Sequence, residues 1–101
     1  MTTTAERLRE VRLKIDSALD LAQGDQSASP VLVAVVREFA KKAEKAATDD
    51  DERRAVIELE QAGDSAKVAA EADAGASEAT RQAVVDAHLA ICITKAKLSP
   101  V

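Results

Sequence analysis

Two side chains capable of chemistry stand four residues apart near the end of the chain. His88 is the only histidine and Cys92 the only cysteine. On a helix, positions i and i+4 share one face. An imidazole and a thiolate placed this way offer two ligands to a zinc-type ion, which normally takes three or four. The sequence holds no further His or Cys, so a two-fold dimer is the arrangement that would supply two of each. The spacing is met equally by a core histidine with one hydrogen-bond partner beside a buried, inert thiol. That is the expectation adopted, with no metal, cofactor or catalytic residue assigned.

Phosphoryl transfer is the second chemistry open to a lone histidine. In histidine phosphotransfer domains, four-helix bundles that this chain resembles in size, a lysine and small residues follow the reactive histidine and leave a small, basic surface beside the imidazole. Here Leu89, Ala90, Ile91 and Cys92 follow His88, with no lysine at the required spacing. Nucleophilic catalysis needs a histidine held by a carboxylate and facing a nucleophile, and a core histidine does not supply it. Paired carboxylates such as Glu58 and Glu60, or the run from Asp49 to Glu52, fall on a solvated face without a shaped, dry site. The same run lacks the spacing, glycine and distal glutamate of a calcium loop. The three glycines are isolated, so no phosphate-cradling loop exists. The net charge of -4 and a single aromatic residue, Phe39, argue against nucleic-acid binding.

The elements that carry these residues are helices. The 101 residues are 47% hydrophobic and 32% charged, with only three Gly and two Pro. Twenty-two are Ala, so the core is thin and gains from self-association. A first helix is expected over about 4–23, with Leu8, Val11, Ile15, Ala18, Leu19 and Ala22 on one face and Gly24 at its C′ position. Ser29 and Pro30 start a second, striped by Leu32, Val35, Val36, Phe39, Ala43 and Ala46.

Lysines 41, 42 and 45 followed by Asp49 to Glu52 imply a break near 47–50, with Thr48 or Asp49 as the next cap. The rival is one continuous helix over 30–74. A third helix over about 50–74 turns Val56, Leu59, Gly63, Ala66 and Ala70 inward, Gly63 allowing close approach of a neighbour. Gly75 as C′ residue and Ser77 as the following N-cap mark the last break, and a fourth helix runs over about 78–98, just before Pro100. No fixed-period internal repeat is evident. The expected fold is all-α: one antiparallel up-down bundle domain over 1–101, with four helices, or three if 30–74 is continuous.

The fourth helix is apolar around most of its circumference, so it is either central in the bundle or shared with a second copy. Val85, Leu89, Ile93 and Ala96 are the first candidates for an interface, and Ile57 and Val68 the second. Leu13, Leu21 and Val33 also fall off their stripes. These features predict a non-enzymatic interaction module that self-associates as a homodimer. Residues 48–78, with ten acidic and three basic side chains, support an alternative. That alternative is an acidic accessory or inhibitor docking a basic partner through 49–78. A His88-centred metal or phosphoryl site is the third reading. One cysteine, no apolar leader and no stretch long enough to span a bilayer predict a cytoplasmic protein without membrane contact.

Overall fold

The computed structural model describes residues 3–98, so Pro100 lies outside the described residues. Four helices account for them: α1 (Thr4–Gly24), α2 (Pro30–Ala46), α3 (Glu52–Ala72) and α4 (Glu78–Ala96). Each starts on a side-chain cap. Thr3, Ser29, Asp51 and Ser77 accept the backbone N–H three residues on, from Glu6, Leu32, Arg54 and Thr80. The chain therefore breaks between Ala46 and Glu52, and the continuous-helix alternative is excluded.

Two local expectations are corrected. The α3 cap is Asp51, not Thr48 or Asp49. Asp49 instead accepts from the Asp51 N–H and the Arg54 guanidinium, both at 2.9 Å. Nor do Gly24 and Gly75 serve as left-handed C′ residues, since no described residue has positive φ. Asp25 and Asp73 follow the last turns of α1 and α3 in extended conformation. Gly75 is required by proximity: a Cβ there would lie 2.7 Å from the Ser27 carbonyl oxygen.

The helices pack as a square. α1 touches α2 and α4, and α3 touches the same two. Thus α4 occupies a corner, not the centre, and one side of it faces outward. The inward stripes meet around Ile15, Leu32, Val36, Phe39, Val56, Leu59, Val84 and Ile91, all buried. Gly63 lies on the inner face as expected. A Cβ there would sit 3.0 Å from Phe39 and 3.3 Å from both His88 and Ile91. Its absence lets α4 and the ring of Phe39 close on α3.

The bundle is also an internal repeat, which corrects the expectation of none. Residues 3–50 and 51–98 correspond at an offset of 48 positions. Both hairpins begin with a 21-residue helix. The buried residues Val11, Ile15, Ala18 and Ala22 become Leu59, Gly63, Ala66 and Ala70. Leu32, Val36, Phe39, Ala43 and Ala46 become Thr80, Val84, Ala87, Ile91 and Thr94, again all buried.

The connecting loops exchange bonds reciprocally. Asp25 accepts the Ser77 N–H at 2.8 Å, and Asp73 accepts the Ser29 N–H at 2.7 Å. Such exchange is the signature of an approximate two-fold axis between the hairpins. Asp73 also accepts the N–H groups of Gly75 and Ala76, whereas Asp25 also accepts the hydroxyl of buried Thr80 at 2.9 Å. The bonds to Asp25, led by those from the backbone N–H groups of Ser77 and Ser27, hold its pKa down to about 2.

Candidate functional site

The close approach at Gly63 sets up a cluster on the α3–α4 seam. His88 and Cys92 lie one turn apart on α4, on the flank that meets α3. The His88 Nε2–H donates to Asp64 Oδ1 at 2.6 Å, an aspartate 24 residues away on α3. Cys92 Sγ lies 3.4 Å from the same Nε2. The His88 side chain is only 15% exposed, whereas that of Asp64 is 59% exposed. One turn further along the seam, Lys95 donates to Glu60 at 2.8 Å. Burial pushes the Cys92 thiol pKa up; the Glu60 and Asp64 carboxylates add to the rise, and Lys67 and Lys95 oppose it.

The expected core histidine is therefore a seam histidine. Its one strong partner is present, but both it and Cys92 are half-buried at the boundary with solvent. The geometry also separates two chemistries. In a nucleophile–histidine–carboxylate relay, the carboxylate holds the ring nitrogen opposite the one facing the nucleophile. Here the carboxylate holds Nε2, and the thiol lies over the ring, 3.4 Å from Nε2 and 4.0 Å from Nδ1. The three donor atoms lie within 4.8 Å of one another. They form a converging donor set and not a proton relay. Asp64 is the member that sequence spacing missed, because only the register of α3 against α4 brings it in.

The six candidate interface residues divide as follows. Leu89 and Ile93 are 55% and 45% exposed on the outward side of α4. Ala96 is exposed beside them, and Val85 is half-buried. Ile57 and Val68 are both exposed on α3. Their i, i+7 and i+11 spacing with Asp64 puts them on the flank of α3 that reaches α4. Val85 and Leu89 lie toward that flank, whereas Ile93 borders α1, lining a small depression with Arg7, Glu10 and Lys14.

The internal repeat supplies a control for this surface. The α2 positions equivalent to Val85, Leu89 and Ile93 are Arg37, Lys41 and Lys45, all exposed. Those equivalent to Ile57 and Val68 are Arg9 and Asp20, also exposed. The same backbone positions are charged on one hairpin and aliphatic on the other.

The acidic stretch is largely engaged within the chain. Asp51 caps α3, Asp73 bonds Ser29, and Asp49 bonds Arg54. Glu58, Glu60 and Asp64 pair with Lys45, Lys95 and His88. A shallow groove of about 540 Å³ between α2 and α3, lined by Val35, Glu38, Glu58 and Gln61, lies away from the His88 seam. Among the described residues, no helix is long and apolar enough to cross a membrane. Comparison with models of protein families, with curated proteins and with solved structures finds no match.

Proposed function

We propose that this chain is a non-enzymatic helical interaction module that self-associates as a two-fold dimer through the outward side of α4. One observation carries the reading: Val85, Leu89 and Ile93 stand where the repeat places Arg37, Lys41 and Lys45 on α2. The bundle does not require aliphatic side chains at these positions, since α2 does without them. Large apolar side chains on an outer face gain free energy only when something covers them. A second copy presents the same face and can cover it isologously. The small Ala96 supports close approach of two α4 helices, and Ile57 and Val68 extend the surface across the seam. The single unpaired cysteine supports a reducing, cytoplasmic setting.

The test is sedimentation equilibrium on the wild type and on a variant carrying Leu89→Lys and Ile93→Lys, which gives α4 the lysines of α2. The expected result is a concentration-dependent dimer for the wild type and a fully helical monomer for the variant. A wild type that stays monomeric at every concentration overturns the reading, as does a variant that dimerises unchanged.

A further inference from the structure

We propose that Asp64, His88 and Cys92 form a mononuclear binding site for a zinc-class divalent ion. All three ligands belong to one chain, so the proposal does not rest on self-association. Ion–ligand distances of about 2.0–2.3 Å in a tetrahedral site put donor atoms roughly 3.3–3.8 Å apart. Cys92 Sγ and His88 Nε2 already stand 3.4 Å apart, with Sγ over the ring at 4.0 Å from Nδ1, so binding turns the thiol toward the Nε2 lone pair. The i, i+4 register of α4 and the close packing of the imidazole at Gly63 keep the two side chains together. Asp64 Oδ1 is nearer, at 2.6 Å, because a proton lies between it and Nε2. An ion taking the place of that proton moves the carboxylate outward by about 1 Å to reach the same tetrahedral spacing. The exposure of Asp64 leaves it free to make that move.

The donor types select the ion. A thiolate and an imidazole disfavour calcium and magnesium, which take oxygen ligands, and suit zinc or its cobalt analogue. On binding, the Cys92 S–H releases its proton to solvent. The imidazole proton moves from Nε2 to Nδ1, freeing the Nε2 lone pair for the metal. With three protein ligands, the fourth position opens on the solvent side and is filled by water. The repeat shows that bundle packing does not demand the set. The equivalent positions of the first hairpin are Asp16, Ala40 and Glu44. There the aspartate pairs within its own helix, with Arg12 at 4.0 Å, and the positions of the imidazole and thiol are held by Ala40 and Glu44.

The experiment titrates the reduced, metal-free full chain with Co²⁺ and then with Zn²⁺. The expected result is saturation at one Co²⁺ per chain, with tetrahedral d–d bands and a near-ultraviolet thiolate-to-cobalt charge-transfer band, both bleached by Zn²⁺. Cys92→Ser abolishes the charge-transfer band. His88→Gln and Asp64→Asn each weaken binding by more than the ~10–100-fold typical of losing an outer-shell partner. Wild-type protein with no saturable site, or with no thiolate band, overturns the proposal whatever the variants do. So does binding that survives both Cys92→Ser and His88→Gln undiminished. Protection of the thiol against an aromatic disulfide reagent by stoichiometric Zn²⁺ reads the same site without mutation.

Discussion

The two hairpins are built on one plan and finished differently. At the 48 paired positions only nine residues are identical, and seven of those fall within 16–29 and its counterpart. That stretch includes the inner alanines, the aspartate after the first helix and the serine cap of the second. These are the positions whose backbone bonds fix where a helix ends, where the next begins and how the two loops meet. Elsewhere the halves exchange size. Ile15 in the first hairpin answers Gly63 in the second, and Phe39 answers Ala87. Gly63 faces Phe39, His88 and Ile91, and the positions equivalent to those three are Ala87, Ala40 and Ala43. A small residue on one side of the axis thus meets large neighbours, and the repeat sets a large residue opposite small ones at the equivalent positions. At the Gly63–Phe39 and Ile15–Ala87 pairs size is exchanged between partners and residue identity is not kept. On the outer faces the halves differ in kind, and there α4 carries an aliphatic stripe and a donor cluster.

The largest test of this comparison is in the core. Phe39 is fully buried, and Phe39→Ala is expected to cost about 3–5 kcal/mol in urea denaturation. Gly63→Ile alone overpacks the seam and costs about 1–3 kcal/mol. Together they give the second half the Ile-and-Ala pairing of the first, nearly conserving volume. The double variant is therefore expected to be more stable than the sum of the single losses predicts, by about 0.5–3 kcal/mol. Strict additivity would mean that the two positions do not compensate and that the pairing by size is accidental.

A smaller effect separates the two loops. Asp25 accepts two backbone N–H groups, from Ser27 and Ser77, and Asp73 accepts three, from Ser29, Gly75 and Ala76, but only Asp25 also accepts from a buried hydroxyl, Thr80, whose counterpart in the first hairpin is Leu32. The folded state depresses the Asp25 pKa from 3.8 to about 2. Its contribution is therefore complete above the unfolded value and is lost as the pH falls from there toward about 2. Asp25→Asn imitates the protonated acid. It is expected to lower the melting temperature near neutral pH by several degrees, and the gap to wild type should close as the solution is acidified. Asp73→Asn should give the same pattern with a smaller gap. Equal gaps for the two variants would remove Thr80 as the source of the asymmetry.

Much of the fold is legible in the chain because local signals agree. Ser29 with Pro30, and Ser77 after Gly75, mark helix starts, and every residue on the inward stripe of α3 is buried. The repeat is hidden because its core positions trade Phe for Ala and Ile for Gly, which hydrophobic pattern alone does not equate. The cap of α3 is misread because four acidic residues in a row compete for one role, and local turn bonding gives Asp49 to the loop and Asp51 to the helix. At the site, His88 and Cys92 are visible as an i, i+4 pair. Asp64 is not, since its approach depends on how far α4 sinks toward Gly63.

The weakest distinction between the hairpins is the ion pair next to that site. Glu60 and Lys95 meet across the seam at 2.8 Å, whereas Arg12 and Ala47 hold the equivalent places. The first hairpin thus folds without any such pair. The Lys95 pKa is raised, first by its hydrogen bond to Glu60 and then by the charge of that carboxylate, so the two groups do interact. Yet Lys95 is half in solvent, where water and salt screen the attraction and ordering a long side chain costs entropy. A double-mutant cycle with Glu60→Gln and Lys95→Met is expected to give a coupling below about 1 kcal/mol, shrinking further in molar salt. A coupling well above that, insensitive to salt, would mean that the seam is drier than the exposure of Lys95 implies. The pair would then help to set the register that carries His88 to Asp64.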